Sequence, residues 1–230
     1  VKGPDGKFYS VPRQGTRLVI YDPATSSSTL GPLHGFTGND SGGSNGVFWS
    51  AVSTPFGKII YVPANATSIG IYNVATNSFS TSSYSGPIVD MFKGACLAPN
   101  GKIIFAPYGN NSVYRVGIYD PIADTFQLGA NTQSNVHYKQ AILTPSGKII
   151  LIPQGTTLYT NPLQLSPGGN YGIYDPFTDI FSVGPLQSYN YTPNAASCLM
   201  MNGKIILSFP FSGSLTFLEG GNDVIPSHEK

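Results

Sequence analysis

Trp49, Lys93 and Lys139 share one place in a recurring pattern: each lies eight residues before a glycine that opens a "GKII" run, at Gly57, Gly101 and Gly147. The residue just before each is aromatic (Phe48, Phe92 and Tyr138), and Asp90 and His137 stand close outside. A second column, the residue after a recurring proline, holds Arg13, Ala64, Tyr108, Gln154 and Phe211. A tryptophan, tyrosines, amides and a pair of ammonium groups can stack on sugar rings, hydrogen-bond hydroxyls, or anchor a protein loop. The candidate ligand-binding set therefore joins Trp49, Lys93, Lys139, Tyr138, His137 and Asp90 to Tyr108, Arg13 and Gln154. The competing reading makes Trp49, Phe92 and Tyr138 a plug between repeated units and leaves the lysines solvated at its rim.

Catalytic chemistry finds less to work with. Glycoside hydrolysis needs two carboxyl groups facing each other across a pocket, one held protonated. The two glutamates, Glu219 and Glu229, fall at an expected turn and in the tail, and Asp40 and Asp90 are the aspartates outside the repeats. The three histidines, His34, His137 and His228, are scattered, whereas a metal centre needs several ligands to converge. "GGSNG" (42–46) offers a serine between glycines but no strand-to-helix elbow. No catalytic residue, metal set or cofactor is assigned, although calcium held by backbone carbonyls along a channel would leave no trace in the sequence.

What positions the candidate residues is an array. "GKIIFAPYGNNSVYRVGIYDPIADTF" (101–126) recurs as "GKIIYVPANATSIGIYNVATNSF" from Gly57, and as "GKIILIP" with "YGIYDPFTDIF" from Gly147; weaker copies follow Gly6 and Gly203. The repeat glycines at 6, 57, 101, 147 and 203 are separated by 51, 44, 46 and 56 residues. A period in the forties without a helical stripe predicts the blades of a β-propeller. Each unit carries four strand signals, punctuated by Gly and Pro. "APNG" and "TPSG" predict a tight turn with glycine at positive φ between the first and second strands. "YDPATS", "YDPIAD" and "YDPFTD" place Asp22, Asp120 and Asp175, with Asn73 in the remaining copy, where a side-chain oxygen accepts from backbone N–H groups a few residues on. Those aspartates are read as turn residues.

The "IYDP" turn followed by a short strand resembles the kelch repeat. Phe79, Phe126 and Phe181 stand where kelch units carry tryptophan, and the paired kelch glycines are absent, a proline standing nearby instead. The resemblance implies a kelch-like propeller that serves as a scaffold for binding or, less often, as an enzyme. It also brings to mind copper oxidases that join a Cys to a Tyr, a chemistry that requires an exposed cysteine. Cys96 and Cys198 instead sit five residues before a repeat glycine, where other units carry Val1, Val52 and Ile142, which predicts buried free thiols.

The fold expected is all-β: one propeller over residues 1–230, with units starting near 1, 47, 91, 137 and 193, most simply five four-stranded antiparallel blades whose last receives an outer strand from the tail. A longer propeller of which this is a piece is the alternative. Charged residues make up 10% of the chain, against about 25% in an average soluble domain, and net charge is +1 with no basic run. That excludes the basic face needed for nucleic acid. No apolar run reaches the roughly 20 residues of a membrane span.

Two units are long, through "GPLHGFTGNDSGGSNG" (31–46) and "QGTTLYTNPLQLSPGG" (154–169). Strand reversal puts both insertions on one face and the tight turns on the other, so the variable face is the expected binding surface. The glycosylation triplets at Asn39, Asn65, Asn110 and Asn190 fall on the same face and point to an extracellular, secreted or virion-surface location. The function expected is non-enzymatic recognition of glycan or protein. A structural assembly component comes second and a propeller-type carbohydrate-active enzyme third.

Overall fold

The computed structural model describes residues 1–36, 46–84, 88, 91–108, 114–134, 136–153, 171–184, 196–200, 204–209 and 214–219, with the backbone alone at 196–198, 206–209 and 214–219. Among the described residues, the strands form five antiparallel sheets, each a meander in which neighbours in sequence are neighbours in space. The first sheet holds β1 (Phe8–Tyr9), β2 (Arg17–Asp22) and β3 (Ser27–Leu33). The second holds β4 (Phe48–Ser53), β5 (Lys58–Pro63), β6 (Gly70–Asn73) and β7 (Ser78–Thr81). In the third are β8 (Phe92–Leu97), β9 (Ile103–Pro107), β10 (Arg115–Asp120) and β11 (Thr125–Asn131). The fourth comprises β12 (Tyr138–Leu143), β13 (Ile149–Pro153), β14 (Gly172–Asp175) and β15 (Ile180–Val183), and the fifth β16 (Ala196–Leu199), β17 (Lys204–Phe209) and β18 (Ser214–Glu219). Ahead of β1, a single bridge from Lys2 to Phe8 marks the innermost place of the first sheet.

First strands of successive sheets adjoin one another: β4 lies against β8, β8 against β12, and β12 against β16. Sheets that meet along their first strands and fan outwards are the blades of a propeller, and all four strand signals per unit appear in the second, third and fourth blades. Glu219, expected in a turn, instead ends β18, where it pairs in register with Lys204.

Strand periodicity explains how the blades stack. Two residues after each repeat glycine stand Ile59, Ile103, Ile149 and Ile205, all fully buried against the preceding blade. One residue further, Tyr9, Ile60, Ile104 and Ile150 point the other way and pack against the following blade. The second strand of each blade is thus apolar on both faces, as a strand buried between two layers requires. Removing one such isoleucine side chain would cost about 2–5 kcal/mol.

Glycine in the third strand lets each blade close on its own aromatics. A Cβ at Gly70 or Gly117 would sit 2.7 Å from the ring of Phe48 or Phe92, on which Phe79 or Phe126 also packs. The first blade departs from this scheme, with Val19 in place of the glycine and Ser28 in place of the phenylalanine. Phe8, Val19, Tyr21 and Leu30 on its leading face are exposed, although Tyr72, Tyr119 and Tyr174, the counterparts of Tyr21, are buried.

Both turns take the expected form. Gly6, Gly57, Gly101 and Gly147 have φ between 76° and 85°. Asp22 accepts from the amide of Ala24, Asp120 from Ile122 and Ala123, and Asp175 from Phe177 and Thr178, while Asn73 does the same for Ala75 and Thr76. Those bonds, from Ala123 first, hold the Asp120 carboxyl below its ordinary range, so these carboxylates are spent on turns.

Four residues beyond each turn Asp or Asn, at Ser26, Asn77, Asp124 and Asp179, the backbone is left-handed, with φ of 49° to 54°. In three blades the side chain at that place accepts the hydroxyl of the buried tyrosine five residues earlier, at 2.8 to 3.0 Å. Asp124 also accepts the Ser83 amide of the preceding blade at 2.9 Å, and Asp179 that of Ala130 at 2.8 Å. Lys58 Nζ donates to Pro121 O and Asn100 Nδ2 to Pro176 O, so the tight turns of adjacent blades meet on one face.

Candidate functional site

At the opposite ends of the inner strands, three irregularities recur. The register between first and second strands slips between Phe48 and Ser50, between Phe92 and Ala95, and between Tyr138 and Gln140. These are β-bulges, each leaving an extra residue outside the ladder and re-aiming it. The residues set outside are Trp49, Lys93 with Gly94, and Lys139, the column singled out in the sequence. Phe48, Phe92 and Tyr138, one position earlier, are fully buried in the blade interfaces.

That corrects the expectation for Tyr138. The bulge turns its ring into the core between the third and fourth blades, on the side of Ala141 and Leu143, where it packs against Phe181 and its hydroxyl reaches Gln133 Oε1. It is a wall of the site's support rather than a contact.

Trp49, Ser50, Lys93, Gly94, Lys139 and Gln140 line one cavity of about 310 Å³ where the second, third and fourth blades converge. Ser50 Oγ donates to Lys93 O at 2.8 Å, tying one bulge to the next. Gly94 is demanded by closeness: a Cβ there would come 2.5 Å from Lys139 O and 2.6 Å from Gln140 Cα. The half-buried Lys139 ammonium is held below the usual lysine range, first by burial and then by the charge of Lys93.

Around the cavity runs a ladder of cations and rings. Arg13 Cζ lies 4.5 Å from the centroid of Trp49, and Lys93 Nζ lies 4.4 Å from the same ring and 3.5 Å from that of Tyr108. Tyr108 in turn meets the His137 ring at 5.0 Å, and His137 meets Tyr114 at 6.4 Å. The Nδ1–H of His137 donates to Tyr108 O. Six of the nine sequence-predicted residues, Arg13, Trp49, Lys93, Tyr108, His137 and Lys139, therefore come together. Asp90 and Gln154 lie outside the described residues, as do Asp40, His228, Glu229 and most of both long insertions.

Sequence reasoning missed the bulges, the part of Tyr114 and the use of the aromatic faces by cations. Only Gly94 carried a signal, being a glycine in a column otherwise read as Ser50 and Gln140. Of the remaining candidates, His34 is buried, its Nε2–H donating to Gly15 O at 2.7 Å while Nδ1 accepts from the Phe36 amide, so both nitrogens are satisfied. Cys96 is a partly buried free thiol, pushed up to about 12 by burial; the side chain of Cys198 lies outside the described residues. Asn65 falls in the link between β5 and β6, and the other three glycosylation triplets lie outside the described residues.

No protein-family model and no curated protein sequence matches the chain. Among solved structures, virginiamycin B lyase from Staphylococcus aureus superimposes with a TM-score of 0.65 at 11% identity, covering 93% of this chain and 66% of that one. A fungal alcohol oxidase of the AA5 family in complex with copper gives 0.63 at 19% identity, covering 90% and 47%. The extracellular domain of a B. thetaiotaomicron one-component system gives 0.57 at 12% identity, covering 88% and 25%. This chain spans a quarter to about two thirds of the length of these neighbours. At such identities the likeness is one of fold, and the fold is a β-propeller.

Proposed function

We propose that this protein is a recognition module that engages a glycan or protein partner at the mouth of its propeller, on the face where the 31–46 and 154–169 insertions emerge. The observation that carries this reading is the set of three β-bulges. Repetition makes a scaffold, yet at one repeated place each blade ejects a different or charged side chain, Trp49, Lys93 and Lys139, into a shared cavity. Bulges re-aim side chains next to binding sites. The whole of residues 1–230 is taken as one domain of kelch-like type, working in an extracellular, secreted or virion-surface setting without cofactor; the low charge and the extracellular neighbour support that setting.

Printed on an array of glycans and surface proteins, the chain is expected to bind, and Trp49→Ala is expected to abolish binding while melting stays within a few degrees. Equal array signals from the wild-type protein and Trp49→Ala would refute the placement of the site.

A second reading, a structural assembly component, is favoured by the exposed Phe8, Val19, Tyr21 and Leu30 on the leading face of the first blade. Under it, sedimentation velocity shows concentration-dependent self-association that Leu30→Asp removes. A monomer at all concentrations excludes it.

A further inference from the structure

We propose that copies of this chain associate head to tail, the fifth blade of one copy seating on the leading face of the first blade of the next. This rests on the second reading, that of an assembly component, and names the two surfaces that join.

The chemistry of such a contact is repeated between the blades of one chain. In the middle sheets a row of three residues in register packs on the following blade: Val52, Ile60 and Ile71 in the second, Cys96, Ile104 and Ile118 in the third. The first of these rows shares one core with Ile103, Tyr119 and Phe126, a row on the leading face of the third blade. Ile142, Ile150 and Ile173 form the same row in the fourth blade and pack with Ile205 of the fifth. An apolar row thus meets a leading face at each of these joints.

One joint of this kind is left unmade. In the first blade the leading row is Phe8, Tyr21 and Ser28, with Val19 and Leu30 beside it. Leu30 is 69% exposed, whereas its counterpart Leu128 packs into the core between the second and third blades. In the fifth sheet Cys198, Ile206 and Phe217 are in register at the place that Cys96, Ile104 and Ile118 hold in the third. Among the described residues the first and fifth sheets do not adjoin as successive sheets do. The chain therefore holds both halves of a blade joint, apart from each other.

The pairing of unlike surfaces decides how copies meet. Within the chain a leading face meets the row of another blade and never a second leading face, so copies matched in the same way present different surfaces to each other. Contact between unlike surfaces of identical copies is heterologous, and it continues into a ring or a filament. Neither row carries a charged residue, so burial of apolar area drives the contact, and a partner chosen by charge has nothing to recognise. Phe8, Tyr21 and Leu30 are the exposed residues that such a contact covers.

Sedimentation velocity of the wild-type chain should show association that grows with concentration and persists in high salt. Leu30→Asp on the first blade and Phe217→Asp on the fifth should each weaken it by about tenfold or more. Mixed in equal amounts, the two variants should pair one to one, because each keeps the half that the other has lost. Melting like that of the wild type shows that each variant folds. Should Phe217→Asp not fold, hydrogen exchange in the wild-type chain decides: β2, β3 and β18 should all slow as concentration rises. Phe217→Asp associating as the wild type does, or slowing confined to β2 and β3, would overturn the head-to-tail contact in favour of first blades meeting each other, and the assembly reading would stand. A monomer at every concentration would overturn both the contact and that reading; exchange in β2, β3 and β18 that is already slow at the lowest concentration would then show that the first and fifth blades join within one chain.

Discussion

Asp124→Ala is the most informative single change to the scaffold, because one half-buried side chain serves three purposes. Its Oδ1 accepts the hydroxyl of the fully buried Tyr119 at 2.8 Å, its Oδ2 accepts the Ser83 amide of the preceding blade at 2.9 Å, and its backbone is left-handed, at φ 52°. Leaving the phenol without an acceptor costs about 1–2 kcal/mol, and the half-solvated amide, which water can serve instead, about 0.5 kcal/mol. Holding alanine at positive φ adds about 1 kcal/mol. The sum is about 3 kcal/mol, or roughly 6–12 °C in melting temperature for a chain of this size. Asp124→Asn should cost under about 1 kcal/mol, since Asn77 fills the same role for Tyr72 at 2.8 Å in the second blade. Asp124→Gly should fall between, having lost the acceptors but not the backbone freedom. Guanidinium unfolding supplies the energies, and hydrogen exchange at Ser83 supplies a local readout that should accelerate in Asp124→Ala and stay slow in Asp124→Asn. With Tyr119→Phe as the second arm of a double-mutant cycle, a coupling of about 1 kcal/mol is expected. An Asp124→Ala protein within 0.5 kcal/mol of wild type, or Ser83 exchange unchanged, refutes the idea that blades are stapled through this position.

Gly94→Ala should destabilise by about 1–3 kcal/mol, because the new methyl meets the Lys139–Gln140 backbone, which cannot step aside without parting the third and fourth blades. Gly15→Ala, where the nearest atom lies at an ordinary 3.5 Å, is the control expected to be near neutral in unfolding experiments. Alkaline stability should fall steeply above the ordinary tyrosine value of 10.0, because burial first, and then the bond to Asp124 or Asp179, keeps Tyr119 and Tyr174 protonated when the unfolded chain has lost those protons. Ultraviolet titration should show those phenols ionising only as the fold is lost; reversible ionisation in the native state would contradict it. For Lys139 the sign is opposite. Its lowered value means that the unfolded chain holds the proton more firmly, so this group opposes folding at neutral pH and the penalty lifts as pH rises towards 10.5. Lys139→Met should therefore raise stability at neutral pH and flatten this part of the profile; a profile unchanged by Lys139→Met refutes it.

Most of the scaffold could be read from residue types because each recurring residue answers a local demand. Glycine at positive φ, Asp before Pro, and paired isoleucines on opposite faces of a strand are consequences of backbone geometry and period-two burial, and they stand in the structure as they stand in the sequence. The partners of those residues were less visible. That Asp124 and Asp179 reach across to the preceding blade depends on a left-handed residue four places after the turn Asp, which no propensity marks. The face that Tyr138 takes is hidden in the sequence for a related reason: it shares a column with Phe48 and Phe92, and a column shows position along a strand but not which face the side chain takes. The bulge decides the face, and a bulge is an extra residue in the pairing of two strands rather than a property of either strand alone.

The bulges also explain how a repeated fold can carry an unrepeated site. A side chain in register in an inner strand points into one of the two blade interfaces, where Phe48 and Phe92 show the apolar packing that is tolerated. A lysine there would lose its hydration without gaining a partner, at a cost of several kcal/mol. Outside the ladder, lysine and tryptophan are both accepted at this place, where Trp49, Lys93 and Lys139 line a partly open cavity. One backbone irregularity, copied with the blade, thereby frees a single position from the demands that fix all the others. Charge gathers there through Lys93 and Lys139, held by the rings of Trp49 and Tyr108, and it does so at the end of the molecule farthest from the aspartates that lock the turns. A substitution at the bulged residue should accordingly be tolerated better than one at the turns, which would have to be rebuilt together with the blade.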